Sequence, residues 1–231
     1  MLWLLLGYGF LTRVITAVQK PAVVEVLHGG WLLLVVATQG LAIMLLRVSA
    51  RADVVFLSLC LFLIGSALYG ILITLLMQRL LIERLRVQQF TSPYWINMGA
   101  LAITTLAGGL LAAMLERQPD LVGVLPFVRG WTVLLWALGS WWVPLLVLLG
   151  VWKYVVGRQP IGYHVDHWSV VFPLGMYSVC TFTLAEAILP LPLLEALARW
   201  VARLALLAWL LVSVQALLLG CARAFRRSSV T

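Results

Sequence analysis

Five residues, Phe172, Met176, Val179, Thr183 and Glu186, recur at helical spacing and fall within roughly 40° of one line at 100° per residue. A single stripe therefore carries an aromatic ring, a hydroxyl and a carboxylate. Pro173 follows the ring directly. A proline inside a helix removes a backbone donor and clashes with the preceding turn, so it frees a carbonyl near Ser169, bends the helix and aims the Phe172 ring. Glu186 lies about 21 Å further along the stripe at ~1.5 Å per residue. It is the one acidic residue well inside an apolar stretch. A carboxylate there points to proton coupling or selectivity, or to a water-exposed or arginine-paired structural role with Arg199 and Arg203 as nearby partners. Two further stripes hold Asn97, Leu101, Thr104 and Gly108, and His28, Leu32, Val35 and Gln39. Walls of this kind, mostly apolar with one or two neutral polar groups, lower the barrier for a small solute without fixing it tightly.

Other chemistries lack their parts. His28, His164 and His167 stand at the ends of apolar stretches, with Asp166 between the latter two. A metal centre needs more convergent ligands than these, and a membrane haem needs two facing histidines at mid-span. Cys60, Cys180 and Cys221 show no CxxC spacing and read as small core residues. There is no GxxxxGK[ST] or HExxH pattern, so neither an ATP-driven pump domain nor a zinc protease is encoded here. The expectation is a non-enzyme with no cofactor.

The elements that must position the stripes are membrane spans. The chain of 231 residues is 64% hydrophobic and 10% charged, with a mean hydropathy of +1.07. A bilayer core is crossed by about 20 apolar residues, and seven runs qualify or approach this, near 1–17, 27–46, 54–77, 95–115, 131–152, 168–189 and 200–221. With no basic leader and small-residue cleavage site, the first run reads as a retained span. Loops are short, so residues 1–231 read as a single transmembrane domain closed by a short basic tail, 222–231.

The basic surplus, 16 Lys and Arg against 8 Asp and Glu, is spread over both sets of loops, which argues against nucleic acid. One side holds Lys20, Arg79, Arg84, Arg86, Lys153, Arg158, Arg223, Arg226 and Arg227. The other holds Arg47, Arg51, Arg117, Arg129, Arg199 and Arg203. The bias favours the first side, and with it the C-terminus, as cytoplasmic. A weak repeat organises the spans: Trp31, Trp95 and Trp168 each stand at or near the start of a span, and each such span is followed by a plainer one. Three helical hairpins follow, with the more polar first members, rich in Gly, Thr, Asn and Gln, facing inward. Interfacial anchoring of the tryptophans is the alternative reading.

At Trp168-Ser169-Val170-Val171-Phe172-Pro173-Leu174, Gly29-Gly30-Trp31-Leu32-Leu33-Leu34-Val35-Val36-Ala37-Thr38-Gln39 and Tyr94-Trp95-Ile96-Asn97-Met98-Gly99-Ala100 the chain resembles the tellurite-resistance/C4-dicarboxylate transporter family, which includes the slow-type anion channels of plant guard cells and fungal malate and sulfite carriers. The resemblance implies an all-α polytopic membrane fold of helical hairpins around a central pore, ten spans in quasi-five-fold array. This chain would supply the last seven. It also implies transport of small inorganic or organic anions, such as tellurite, sulfite, chloride, nitrate or C4-dicarboxylates, across the cell inner (plasma) membrane. Family members are often trimeric, so a homo-oligomer is expected. By position in the motif, Phe172 matches a pore-closing phenylalanine and Pro173 the proline after it. Leu34 departs from the pattern, standing where that inner helix often carries a proline. Two of five pore-lining helices would have no counterpart. A ring open there would expose polar stripes to lipid, so the chain is not expected to conduct as a monomer. A non-transporting fragment or scaffold is the alternative, and a redox or haem membrane protein the remaining one.

Overall fold

A computed structural model describes residues 2–19, 27–160 and 162–228, with side chains described as far as 219. Lys20 lies outside the described residues, and of the basic tail only the backbone to Ser228 is described. Seven α-helices account for the described chain: α1 (Leu2–Thr16), α2 (Leu33–Val48), α3 (Ala52–Ile82), α4 (Ile96–Leu115), α5 (Leu125–Val151), α6 (Trp168–Ala187) and α7 (Pro192–Ser228). Six apolar helical stretches are long enough to cross a membrane: Gly29–Val48, Ala52–Ile82, Ser92–Leu115, Val122–Val156, Val165–Ala187 and Pro192–Leu219. The chain is an all-α, multi-pass membrane protein. In lipid every backbone polar group must be satisfied within its own segment, which is why hydropathy this high resolves into helices.

α1 is the exception in length. Its 15 residues span about 22 Å at 1.5 Å each, against roughly 30 Å of hydrocarbon. α3, by contrast, has 31 residues and runs past the expected limit at 77 into the following loop.

Each of α2, α4 and α6 is preceded by a short 3-10 turn, Gly29–Leu32, Ser92–Trp95 and Val165–His167, and these turns lie together at one end of the molecule. The His28 Nδ1 accepts the Gly30 N–H at 3.1 Å and so caps the first turn. The tryptophan repeat therefore coincides with a recurring turn and helix: Trp31 and Trp95 lie in the first two turns, and Trp168 is the first residue of the helix after the third. Helices pair as α2 with α3, α4 with α5, and α6 with α7, and the first members also pack side by side in the order α2, α4, α6. α1 rests lightly against α2. α4 is the innermost helix, and nearly every residue from Ile96 to Leu115 is buried.

The layers are tied by hydrogen bonds from side chains that the apolar setting leaves few other partners. Gln39 Nε2 donates to the Phe62 carbonyl at 3.1 Å, and Ser58 Oγ donates to that of Ala42 at 3.0 Å, joining α2 to α3. Trp142 Nε1 donates to the Tyr69 hydroxyl at 3.0 Å, and Trp136 Nε1 to Thr181 Oγ1 at 2.9 Å, so α5 reaches both α3 and α6. Ser178 Oγ donates to the Ala198 carbonyl at 2.8 Å, joining α6 to α7. Each such bond contributes on average about 0.6 kcal/mol inside a membrane.

Candidate functional site

Two glycines of α4 set the position of α6. A Cβ added at Gly99 would lie 2.8 Å from the Pro173 Cγ, and one at Gly109 would lie 2.8 Å from the Thr183 Cγ2. Only backbone fits at these crossings, so α4 and α6 lie close along about ten residues. Pro173 is buried in this contact while α6 continues through it as one helix. The residue before it points elsewhere: Phe172 is 45% exposed.

The rest of its stripe follows the same open face. Val179 is 49% exposed, Glu186 is exposed, and Met176 and Thr183 are half-buried. The five residues predicted from spacing are thus brought onto one flank of α6, with Thr183 at its edge against α4. Glu186 lies at the far end in a hollow of about 460 Å³ lined also by Glu116, Arg129, Thr183 and Ile188. Of its two expected arginine partners, Arg199 pairs with Glu195 at 3.3 Å one helical turn away, and Arg203 forms no ion pair among the described residues. Arg129 of α5, which pairs with Glu116, lines the same hollow. Neither Arg129 nor Glu116 is on the α6 stripe, so periodicity along that helix gave no sign of them.

The other two stripes are placed differently. Asn97, Leu101 and Thr104 are fully buried, and Gly108 is buried too. A Cβ on Gly139 of α5 would lie 3.3 Å from Leu101 Cβ, and one on Gly108 would meet Thr132 of α5 and Phe62 of α3. This face looks outward, into the second layer. The Thr104 hydroxyl donates to the Ala100 carbonyl at 2.6 Å, while neither polar atom of the Asn97 side chain has a partner. Val35 and Gln39 are likewise buried, Gln39 against Gly65 and Phe62 of α3, while His28 is exposed at the helix start. The residues of these two stripes, expected from sequence to line a lumen, are buried between helices, apart from His28: α4 against α5 and α3, and α2 against α3. The lipid exposure of their polar groups that an open ring would cause does not arise. On α4 the half-buried positions are Leu106, Leu110, Ala113 and Met114, all apolar.

Arg79, assigned from sequence to a loop, is buried near the end of α3 and donates to the Leu27 carbonyl. This brings a guanidinium to the end where α2 and α4 begin.

The profile of the voltage-dependent anion channel family matches residues 1–217, almost the whole chain, from α1 into α7. The chain belongs to the voltage-dependent anion channel family. This is the family to which the tryptophan-to-Phe-Pro resemblance pointed. Its members are channels or transporters for anions. Two uncharacterized membrane proteins of Mycobacterium tuberculosis, from strains CDC 1551 and H37Rv, are each 41% identical over 147 residues, covering 64% of this chain and 74% of theirs. An uncharacterized transporter of Methanocaldococcus jannaschii is 25% identical over 117 residues, covering 51% of this chain and 32% of that protein. No solved structure matches the chain significantly.

Proposed function

We propose that this anion-channel family member passes small anions along the open flank of α6, with Phe172 as the constriction. The observation that carries this reading is the division between two neighbours. Pro173 is locked onto Gly99 of α4, while the Phe172 ring stands free on the exposed side. A fixed backbone beside a free ring is what a side-chain gate requires: the ring can swing between rotamers with no cost to the helix packing behind it.

Selection for anions would come from the ends. α2, α4 and α6 all begin at the end where the 3-10 turns cluster, and each helix start carries about half a positive charge. Buried Arg79 adds a full charge there. Between the ends the path is apolar apart from Thr183, which suits brief, weak contact with an ion such as chloride, nitrate, sulfite or tellurite, or with a C4-dicarboxylate. Glu186, at the far end beside the Glu116–Arg129 pair, would tune the local potential or carry a coupled proton. The helix starts would face the cytoplasm, as would the C-terminus, in the inner (plasma) membrane. A homo-oligomer would shield the open flank from lipid.

Flux from reconstituted vesicles tests the gate. The Phe172→Ala variant should pass anions at least tenfold faster than the parent chain. Equal flux from two equally folded proteins would remove Phe172 from the pathway.

A further inference from the structure

A polar hollow of about 300 Å³ lies away from the α6 flank, between the end of α5, the loop before α4 and the turn before α6. The sequence around it is irregular for a reason. α5 ends in a π-helical turn, Trp152–Val156, and Arg158 then takes a left-handed conformation with φ 48°. Both departures cost energy and bring the following segment back over the loop at 91–92. What they enclose is one cation and one anion, Lys153 and Asp166, with the hydroxyls of Thr91 and Ser92 and the ring of His167.

Lys153 is half-buried. Its Nζ donates to the Phe90 carbonyl at 2.8 Å and lies 5.2 Å from the Tyr154 ring centroid. An ammonium has three donors, so two remain. His167 Nδ1 accepts the backbone N–H of His164 at 3.4 Å, which fixes the proton on Nε2 and makes that atom a donor. Asp166 makes no ion pair among the described residues and lines the same hollow. Aromatic residues with polar tips stand at and beside the site: Tyr154 lines it, the Tyr163 ring meets that of His167 edge-on with centroids 6.4 Å apart, and Trp168 Nε1 donates to the Tyr163 hydroxyl at 3.4 Å. Such residues gather at the headgroup level of a bilayer.

We propose that this hollow holds the headgroup of a phospholipid bearing a primary amine, phosphatidylethanolamine in kind. Lys153, His167 and the two hydroxyls take the phosphate, and Asp166 takes the ammonium. The phosphate alone could be met by a free phosphate ion; the pairing with Asp166 and the aromatic ring at headgroup depth select the lipid. A bound headgroup would brace the segment that leads directly into α6, five to six residues before Phe172.

The test uses the purified full chain in detergent, with the thermal midpoint measured against added lipid, since a ligand that binds the folded state raises it. Phosphatidylethanolamine should raise the midpoint by several degrees and phosphatidylcholine, which has no N–H, by less than half as much. Lys153→Met should lose the response and Lys153→Arg keep it, whatever either does to the midpoint without lipid. Asp166→Asn should bring the two lipids to the same, smaller shift. The proposal is overturned if Lys153→Met responds like the parent, if the parent does not distinguish the two lipids, or if inorganic phosphate alone reproduces the full shift. None of these outcomes depends on whether the chain conducts anions.

Discussion

α4 and α6 begin alike and end in different company. Both follow a 3-10 turn, with Trp95 closing the turn before α4 and Trp168 opening α6; both run for 20 residues, and both have polar residues at helical spacing. α4 has neighbours on all sides, with α2 and α6 flanking it and α3 and α5 behind, so its polar stripe is turned into the second layer. α6 is flanked by α4 and backed by α7, and its stripe is left on the free side. The same pattern therefore does two jobs. In α4 it permits close packing, with Gly108 and Thr104 leaving room for the outer helices. In α6 it presents an aromatic and a carboxylate on an open surface.

The largest expected difference between the two helices is in transport. Phe172→Ala should raise vesicle anion flux by an order of magnitude or more, whereas Leu101→Ala, the large apolar member of the α4 stripe, should leave flux per folded protein within about twofold. Folding should show the reverse order. Leu101 is fully buried, so its truncation should cost 2–5 kcal/mol, while the exposed Phe172 should cost well under that range. Thermal midpoints of the two variants would check it. Equal flux and equal destabilisation from both would erase the distinction between the helices.

The seam between them gives the next effect. Gly109→Val must drive its new methyls into Thr183, an overpacking expected to cost about 1–3 kcal/mol and to lower the thermal midpoint. If α6 shifts to relieve the clash, Phe172 moves with it, so flux should change as well. A midpoint unchanged from the parent chain would mean that the close approach of α4 and α6 is not what holds the flank in place.

How much of this could be read from the chain follows from what periodicity measures. It measures which residues share a line, and on α6 the line of Phe172, Met176, Val179, Thr183 and Glu186 is the one observed on the open side. It does not measure which neighbour the line meets. Asn97 and Gln39 were expected to face a lumen because buried amides are costly. The Gln39 amide instead donates to a carbonyl of α3, an arrangement set by a tertiary contact 23 residues away. The tryptophan-led spans were legible because the repeat is local: a turn and its helix lie within a few residues of each other. Arg79 was misplaced because a charge normally marks the end of a span, and α3 continues past it with its guanidinium satisfied by the Leu27 carbonyl. Arg129 and Glu116 come from two different helices and carry no sequence spacing that would unite them.

Glu186 gives a smaller effect than the gate or the seam. It shares a hollow with the Glu116–Arg129 pair, which cancels locally, so the carboxylate supplies the net charge of that group. Removing it by Glu186→Gln should favour anions at that end. Because the residue is exposed, the benefit should be two- to threefold at low salt and fade at physiological ionic strength, where charges are screened within about 8 Å. A salt-independent change in flux would point instead to proton coupling, which would then appear as lost dependence on a pH gradient across the vesicle.

The smallest predicted change lies behind the gate, where α5 grips α6. The indole of Trp136 donates to Thr181, whose own hydroxyl donates to the Tyr177 carbonyl, and the Trp136 and Tyr177 rings stack with centroids 6.3 Å apart. Trp136→Phe keeps most of the ring contact and removes the hydrogen bond, so it should cost only about 0.6 kcal/mol, the average for such bonds between membrane helices. Thr181→Val removes the same bond from the other side, together with the bond to Tyr177. If the two groups act only through each other, the double variant should be no less stable than Thr181→Val alone, and the thermal midpoints of the three proteins would show it. Additive losses would mean that Trp136 holds α6 by its ring and not by its N–H. The corresponding bond on α4 does not exist: Asn97 has no partner for either polar atom, so Asn97→Leu should cost nothing or stabilise the fold. α6 is thus held by specific bonds that leave one side free, and α4 by shape alone.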